Sequence, residues 1–293
     1  MNATTLAAAF AATARTLTAA GIDSPDVNAR WLVEAAAGTD PRHAPHAPLT
    51  DDAAGRLTTL VARRSAREPL QLILGTAAFR TIEVLCEPGV FIPRPETEVL
   101  AQIAIDLAVA ARESQPDVVV FEPCCGTGVV GLALASEVDG VRVHLGDLSP
   151  QAVALATRNR DRLASAGRLR SDVEVRQGDL LAACSGGTGG PPDVIVANPP
   201  YLPNSDLGGL DPEVGAYDPH TALAGGPDGH EIVTVLLEAA VSALAPGGAI
   251  ALEIDARRAE ETAAFAHQVG LREVTVRHDL TGAPRFVVAR SPE

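Results

Sequence analysis

The chain has no lysine. All 23 of its basic residues are arginine, they face 37 acidic ones, and the formal net charge is −14. That shortage of positive charge opposes any stable grip on nucleic acid through bulk phosphate contacts, which needs strongly basic faces. With so much alanine around it, the missing lysine reads as compositional bias rather than a functional device. Cysteine is also scarce. The four, Cys86, Cys124, Cys125 and Cys184, form no CxxC pair and have no histidine partner at zinc spacing, so no metal is expected. Adjacent Cys124 and Cys125 suit a reduced intracellular protein better than a disulfide scaffold. No apolar run reaches the roughly 18 residues of a membrane span, and no basic stretch leads into an apolar core at the start. The expectation is a soluble, cytoplasmic protein without a membrane partner. What is present is 293 residues, 46% of them hydrophobic. That is enough for one large core, or for one core and a small extra domain.

The first 66 residues read as helical. Leu6, Phe10, Ala14 and Leu17 share one helix face that Gly21 can end. Ser24-Pro25 has the chemistry of a cap followed by a first helical residue, and Val27, Trp31, Leu32 and Ala35 form the next apolar stripe. Thr50 can cap a third helix carrying Leu57, Leu60 and Val61. Residues 67–90 read as a hairpin linker, with strands expected at Leu70–Gly75 and Ile82–Cys86. From 91 onward a loop leads into a helix, and after Pro116 strands and helices alternate. Strands are expected near 118–121, 141–145, 173–175, 194–197 and 249–254, with a final pair near 272–277 and 285–289; residues 185–192 read as a Gly/Pro-rich loop. This pattern implies an α/β fold: a doubly wound sheet, mostly parallel, closed by one antiparallel edge strand.

Three polar sites follow successive strands. Phe121-Glu122-Pro123-Cys124-Cys125-Gly126-Thr127-Gly128 turns from a strand into a helix, where glycines admit a ligand to the backbone and the helix start offers free N–H groups. Asp147 ends the next strand and can accept both ribose hydroxyls of an adenosine cofactor; capping the following helix is its alternative role, for which Ser149 competes. Asp179 follows the third strand, and its carboxylate can accept an adenine amino group. Gly126, Gly128 and Gly131 formally meet a dinucleotide spacing. But Glu122 would repel a pyrophosphate and attract the ammonium of a methionine moiety. This favours S-adenosyl-L-methionine, with S-adenosyl-L-homocysteine as product.

Asn198-Pro199-Pro200-Tyr201 follows the apolar run Val194-Ile195-Val196-Ala197, so it sits at a strand's carboxyl end, where open α/β sheets bind ligands. A side-chain amide and a proline-fixed carbonyl can both accept from one NH2 group. A tyrosine ring can lie against a flat amide, guanidine or base. A plain Pro-Pro turn is the alternative.

With these residues the chain resembles the HemK-like glutamine N5-methyltransferases of peptide-chain release factors. The resemblance runs over roughly residues 60–290. It is carried by Arg67-Glu68-Pro69-Leu70-Gln71, by Phe91-Ile92-Pro93-Arg94-Pro95-Glu96-Thr97-Glu98, by the Glu122–Gly128 turn and Asp147, and by Asn198–Tyr201. Further matches are Ala222-Leu223 with Gly225-Gly226, Leu252-Glu253-Ile254, and Asp279-Leu280-Thr281-Gly282 with Arg285. It implies a helical substrate-recognition domain (1–66), the hairpin linker (67–90) and a Rossmann-like methyltransferase domain (91–293). It implies that Glu122, Cys124, Cys125, Gly126, Thr127, Gly128, Asp147, Asp179 and Asn198 hold the cofactor or its reacting end. Phe91, Arg94 and Thr97 would line the methionine side, and the Asn198–Tyr201 box would hold a glutamine amide of the release factor. Cys124 stands where the family's turn usually has glycine; with a Cβ it is expected to keep negative φ. Cys124-Cys125 is expected to be small apolar packing rather than a redox pair. Asp218, His230 and Asp255 also depart from the family pattern, and all three are expected around the substrate side. N-methylation of a free guanidine or amide is the alternative activity. A DNA or RNA amino-methyltransferase is disfavoured by the acidic balance and by the lack of room for a target-recognition domain after Tyr201.

Overall fold

The computed structural model describes residues 4–184 and 189–293. The elements run α1 (Leu6–Ala19), α2 (Pro25–Ala37), α3 (Asp51–Ser65), α4 (Leu70–Leu74), β1 (Thr76–Phe79) and β2 (Ile82–Leu85). Next come α5 (Thr97–Ser114), β3 (Val118–Pro123), α6 (Val129–Glu137), β4 (Val141–Asp147), α7 (Pro150–Ser165), β5 (Asp172–Gln177) and α8 (Leu181–Cys184). After β6 (Val194–Ala197) follow α9 (Pro212–Gly215), α10 (His220–Leu223), α11 (Glu231–Ala243), β7 (Ala249–Glu253), α12 (Ala259–Gln268), β8 (Arg272–His278) and β9 (Pro284–Arg290). The chain forms two compact units: residues 1–76 with 211–217, and residues 77–210 with 218–293.

In the first unit, α1 to α4 pack around Leu6, Leu17, Leu32, Val33, Leu57 and Ile73. Thr50 caps α3 through the Ala53 N–H, as its sequence position suggests. Ser24 does not cap α2: it sits at φ 49 with no side-chain bond to the helix. The buried face of α2 is Asn28, Ala29, Leu32, Val33 and Ala36, turned away from the expected stripe, and Val27 is exposed. A polar residue on that inner face explains the shift. Asn28 Nδ2 donates to the carbonyls of Asp23 and Ser24, and its Oδ1 accepts from buried Arg64. Arg64 also grips both carboxylate oxygens of Glu213, at 3.0 and 2.9 Å, which ties residues 211–217 into this unit.

Leu70–Leu74 is a helical turn, not the expected strand. Gly75, at φ 75, ends it, and Leu72 and Ile73 face inward. Five residues, Leu70-Gln71-Leu72-Ile73-Leu74, carry no period long enough to separate helix from strand, so packing decides. The hairpin is one step later, β1 against β2.

The second unit is built on a seven-stranded sheet of order β5-β4-β3-β6-β7-β9-β8. β5, β4, β3, β6 and β7 are parallel, and β9 is antiparallel to both β7 and β8. The antiparallel strand is therefore one in from the edge, between β7 and β8. β3, β6 and β7 are buried along their whole length, because helices cover both faces and their near-continuous apolar runs need no alternation. Strand order reverses beside β3: β4 and β5 lie to one side, β6 and β7 to the other. At such a switch point the loops leaving the strands part and open a crevice at their carboxyl ends. Of the expected loop 185–192, residues 185–188 lie outside the described residues. No helix among the described residues is long and apolar enough to cross a membrane.

Candidate active site

The turn after β3 sits at this crevice. Cys124, Gly126 and Gly128 all have positive φ, at 58, 56 and 78. The expectation of negative φ at Cys124 is thus overturned. The Cys125 N–H bonds the Gly146 carbonyl, Gly126 N–H bonds Asp147, and both contacts to the end of β4 demand the left-handed bend whatever residue occupies 124. Both thiols of the Cys124-Cys125 pair are pushed up by burial, which keeps them protonated and unreactive. Asp147 Oδ2 accepts from Gly126 N at 2.8 Å, and Oδ1 from Ser149 N at 2.9 Å. The capping of α7 falls to Ser149, whose side chain accepts from Ala152 N. Burial raises the Asp147 carboxyl, and those backbone N–H groups oppose the rise.

Glu122 is turned inward. Its Oε2 accepts from Gly131 N at 2.6 Å, and burial pushes its carboxyl up to about 8. Gly131 makes room for its neighbours: a Cβ there would stand 2.4 Å from Leu145 Cδ2 and 2.6 Å from Glu122 Oε2, and both side chains would have to shift. The third glycine of the formal dinucleotide spacing therefore serves helix packing and a carboxylate bond. Thr127 is buried, and its carbonyl accepts from Asn159 Nδ2, which ties the turn to α7. Asp179 lies exposed on the loop after β5.

The loop before α5 approaches the same turn. Phe91 Cβ lies 4.0 Å from where a Gly126 side chain would begin. The Arg94 guanidinium sits 5.2 Å from the centre of the Phe91 ring and pairs with Asp218. Asp218 is fully buried at its carboxylate and also accepts from Ile92 N at 3.0 Å, so one side chain fixes the middle of this loop at Ile92 and Arg94.

Asn198-Pro199-Pro200-Tyr201 leaves β6 beside that crevice. Register pairs Ala197 with Leu252, so Asn198 emerges next to Glu253 at the end of β7. Glu253 is 2% exposed. Its Oε2 accepts from Thr97 Oγ1 at 2.9 Å and its Oε1 from the Tyr201 hydroxyl at 3.3 Å. Asn198 Nδ2 donates to Thr97 Oγ1 at 3.3 Å. Burial pushes the Glu253 carboxyl up to about 7 and raises the Tyr201 hydroxyl, while Arg285 opposes both. Backbone packs closely from the other side. A Cβ on Gly225 would lie 2.8 Å from the Pro200 carbonyl, 2.8 Å from Tyr201 Cα and 2.7 Å from the Gly229 carbonyl.

Comparison with known proteins agrees along nearly the whole chain. Residues 8–75 match the model of the PrmC N-terminal domain, and residues 97–207 that of the methyltransferase small domain. The release factor glutamine methyltransferase of Mycolicibacterium smegmatis is 39% identical over 98% of both chains. The protein of that name from Deinococcus radiodurans is 40% identical over 95% of both, and that from Streptomyces coelicolor 37% over 97% of this chain and 98% of the relative. The chain belongs to the release factor glutamine methyltransferase family. Among solved structures, the hMettl16 catalytic domain superposes with a TM-score of 0.54 at 12% identity, covering 84% of this chain and 82% of that one, which speaks for the fold alone.

Within this release factor glutamine methyltransferase family member, the structure gathers the β3 turn, Asp147, Phe91 and the Asn198–Tyr201 box at the carboxyl ends of β3, β4 and β6. The Thr97 hydroxyl is buried between Asn198 and Glu253. The His230 side chain packs toward α12: its Nε2 meets Thr262 Oγ1 at 2.9 Å and its ring lies edge-on to Phe265. Asp255 holds Arg257 at the turn before α12. Sequence reasoning passed over Asn159, placed Asp218 around the substrate side without a role, and met Glu253 and Gly225 only as residues of the family resemblance. Glu253 did leave a signal: it is a carboxylate at the carboxyl end of an otherwise apolar strand.

Proposed function

We propose that this chain transfers a methyl group from S-adenosyl-L-methionine to the side-chain nitrogen N5 of a glutamine in a peptide chain release factor, in the cytoplasm. The observation that carries this reading is the Asn198–Tyr201 box at the carboxyl end of β6, facing the same crevice as the glycine turn of β3 and Asp147. The fit to the cofactor is favourable. The turn leaves open backbone at Gly126 beside Phe91, and an acceptor-only carboxylate stands at the end of β4. Gly126, Gly128 and Asp147 would hold its adenosine, Asp179 the adenine edge, and Phe91 the methionine side. Glu122 would act from beneath, by holding the start of α6 against the turn.

When bound, this cofactor supplies a sulfonium methyl open to in-line attack. An amide nitrogen is a weak nucleophile because its lone pair is delocalised into the carbonyl. Asn198 Oδ1 and the Pro199 carbonyl accept its two N–H bonds and aim the lone pair. Such orientation contributes up to roughly 7–11 kcal/mol in the best intramolecular cases. As the nitrogen loses double-bond character, positive charge develops on it, and the same two oxygen dipoles stabilise that charge. Tyr201 packs on the amide plane, and the proton leaves to water after transfer.

The test is transfer from labelled S-adenosylmethionine to release factor carrying its GGQ loop, run beside free amides, guanidines and DNA. Label on the loop glutamine is expected. Label on a small molecule with none on release factor would overturn the assignment.

A further inference from the structure

The Asn198 amide is useful only one way round. Its oxygen must face the incoming NH2 group; flipped, it would present donors to donors. Nothing in the local Asn-Pro-Pro-Tyr sequence decides between the two orientations, because oxygen and NH2 are almost the same size. Three elements decide it together. Glu253 from β7, Thr97 at the start of α5 and Asn198 after β6 form one chain of hydrogen bonds.

A hydroxyl has one proton to give and lone pairs to accept with. An ionised carboxylate can only accept. Glu253 Oε2 therefore accepts the hydrogen bond that the Thr97 hydroxyl donates, and Thr97 Oγ1 is left as an acceptor toward its other neighbour. Toward an acceptor, Asn198 can turn only its NH2. Its Oδ1 then faces away from Thr97. The second oxygen of the same carboxylate takes the Tyr201 hydroxyl, which limits the roll of that ring. Glu253 and Thr97 are nearly fully buried, so the bond that fixes the Thr97 hydroxyl is shielded from solvent, while Asn198 itself is half-buried at the crevice.

We propose that Glu253 and Thr97 are positioning residues that orient the Asn198 amide, so that its carbonyl oxygen is the end offered to the substrate nitrogen. This rests on the reading of the box as an N-methylation site. Neither residue touches substrate; both act through Asn198 and Tyr201.

The experiment compares Thr97→Val, Thr97→Ser, Glu253→Gln and the Thr97→Val/Glu253→Gln double variant with wild type. It measures kcat, KM for the methyl acceptor that wild type labels, and S-adenosylmethionine affinity by calorimetry. Thr97→Val keeps the shape and removes the relay, so kcat should fall about 10- to 100-fold, less than the roughly 100- to 1,000-fold that follows when an oriented transition-state dipole is removed outright. Cofactor affinity should stay within about 3-fold, Thr97→Ser should recover most of the rate, and the double variant should be little worse than the poorer single one, since both act on one chain. Three results would overturn the proposal: losses that multiply in the double variant, a Thr97→Val defect confined to cofactor affinity, or no rescue by serine. Absence of label on release factor by wild type would instead strike the substrate assignment, and the relay would still be read on whichever acceptor is labelled.

Discussion

Gly225→Ala is a small change at the surface of the sequence and a large one at the site. Gly225 has no positive φ, so alanine meets no backbone strain there. The effect is purely one of space. The new methyl would stand 2.7–2.8 Å from three neighbours, and all three belong to the main chain: the Pro200 carbonyl, Tyr201 Cα and the Gly229 carbonyl. No side chain can swing away. Ordinary contact needs about 3.4 Å or more, so the strand of backbone that includes Pro200 and Tyr201 must move by roughly half an ångström. Overpacking of this kind costs about 1–3 kcal/mol of stability. Its cost in rate is greater, since a misplacement of about 1 Å in a reacting geometry can cost on the order of 100-fold. A kcat loss of about 10-fold or more is expected at saturating cofactor, with cofactor affinity near wild type because the β3 turn is untouched. Gly208→Ala is the control: it lies in the same connection after the box, has no positive φ and has nothing within 4 Å of its would-be Cβ. Single-turnover methyl transfer and thermal unfolding of both variants measure the two costs. Wild-type turnover in Gly225→Ala, or an equal loss in Gly208→Ala, would refute the reasoning.

Asn198→Ala should lose nearly all turnover while calorimetry still finds most of the cofactor affinity; turnover at the wild-type level would remove Asn198 from its role. Cys124→Gly should be stabilising by about 1 kcal/mol or less, because a left-handed conformation costs an L-residue roughly 1–2 kcal/mol and glycine's extra unfolded entropy returns about half of that. Activity should persist in reducing and oxidising buffer alike, and loss of it on oxidation of the wild type alone would revive a redox role for the pair. The relay needs Glu253 ionised, since a protonated carboxyl would donate to Thr97 and reverse the chain. The groups facing it are Thr97 and Glu96 at the start of α5, Tyr201 after β6 and Arg285 on β9. With burial pushing its carboxyl up to about 7, kcat should rise with pH through about 7, and Glu253→Gln should abolish that limb. For stability the sign is opposite. The folded state binds the proton more tightly than the unfolded one, so buried Glu122, at about 8, favours the fold at low pH and loses that contribution as pH rises from about 4.5 to 8. Chemical denaturation of Glu122→Gln across this range should show a shallower decline than wild type.

Much of this protein was legible before any coordinates. Runs such as Val118–Phe121 and Val194–Ala197 are long enough in β-branched and apolar residues to name buried parallel strands, and the polar residues after them mark the crevice. Leu70–Leu74 and the stripe of α2 were misread because a short run has no period of its own, and because Asn28 is drawn inward by Arg64, a residue 36 positions away. Cys124 was misjudged because residue preference is weaker than two backbone hydrogen bonds to the end of β4.

The sequence by itself determined the order of strands and helices, the cofactor turn and the Asn198–Tyr201 box, since each of these is a contiguous string whose chemistry is local. Only the tertiary structure decided how the box is held. Thr97, Asn198 and Glu253 are far apart in the chain, and the direction of a hydrogen bond between them depends on which atom of each meets which atom of the next. That information exists only once β6 and β7 lie in register and α5 begins beside them.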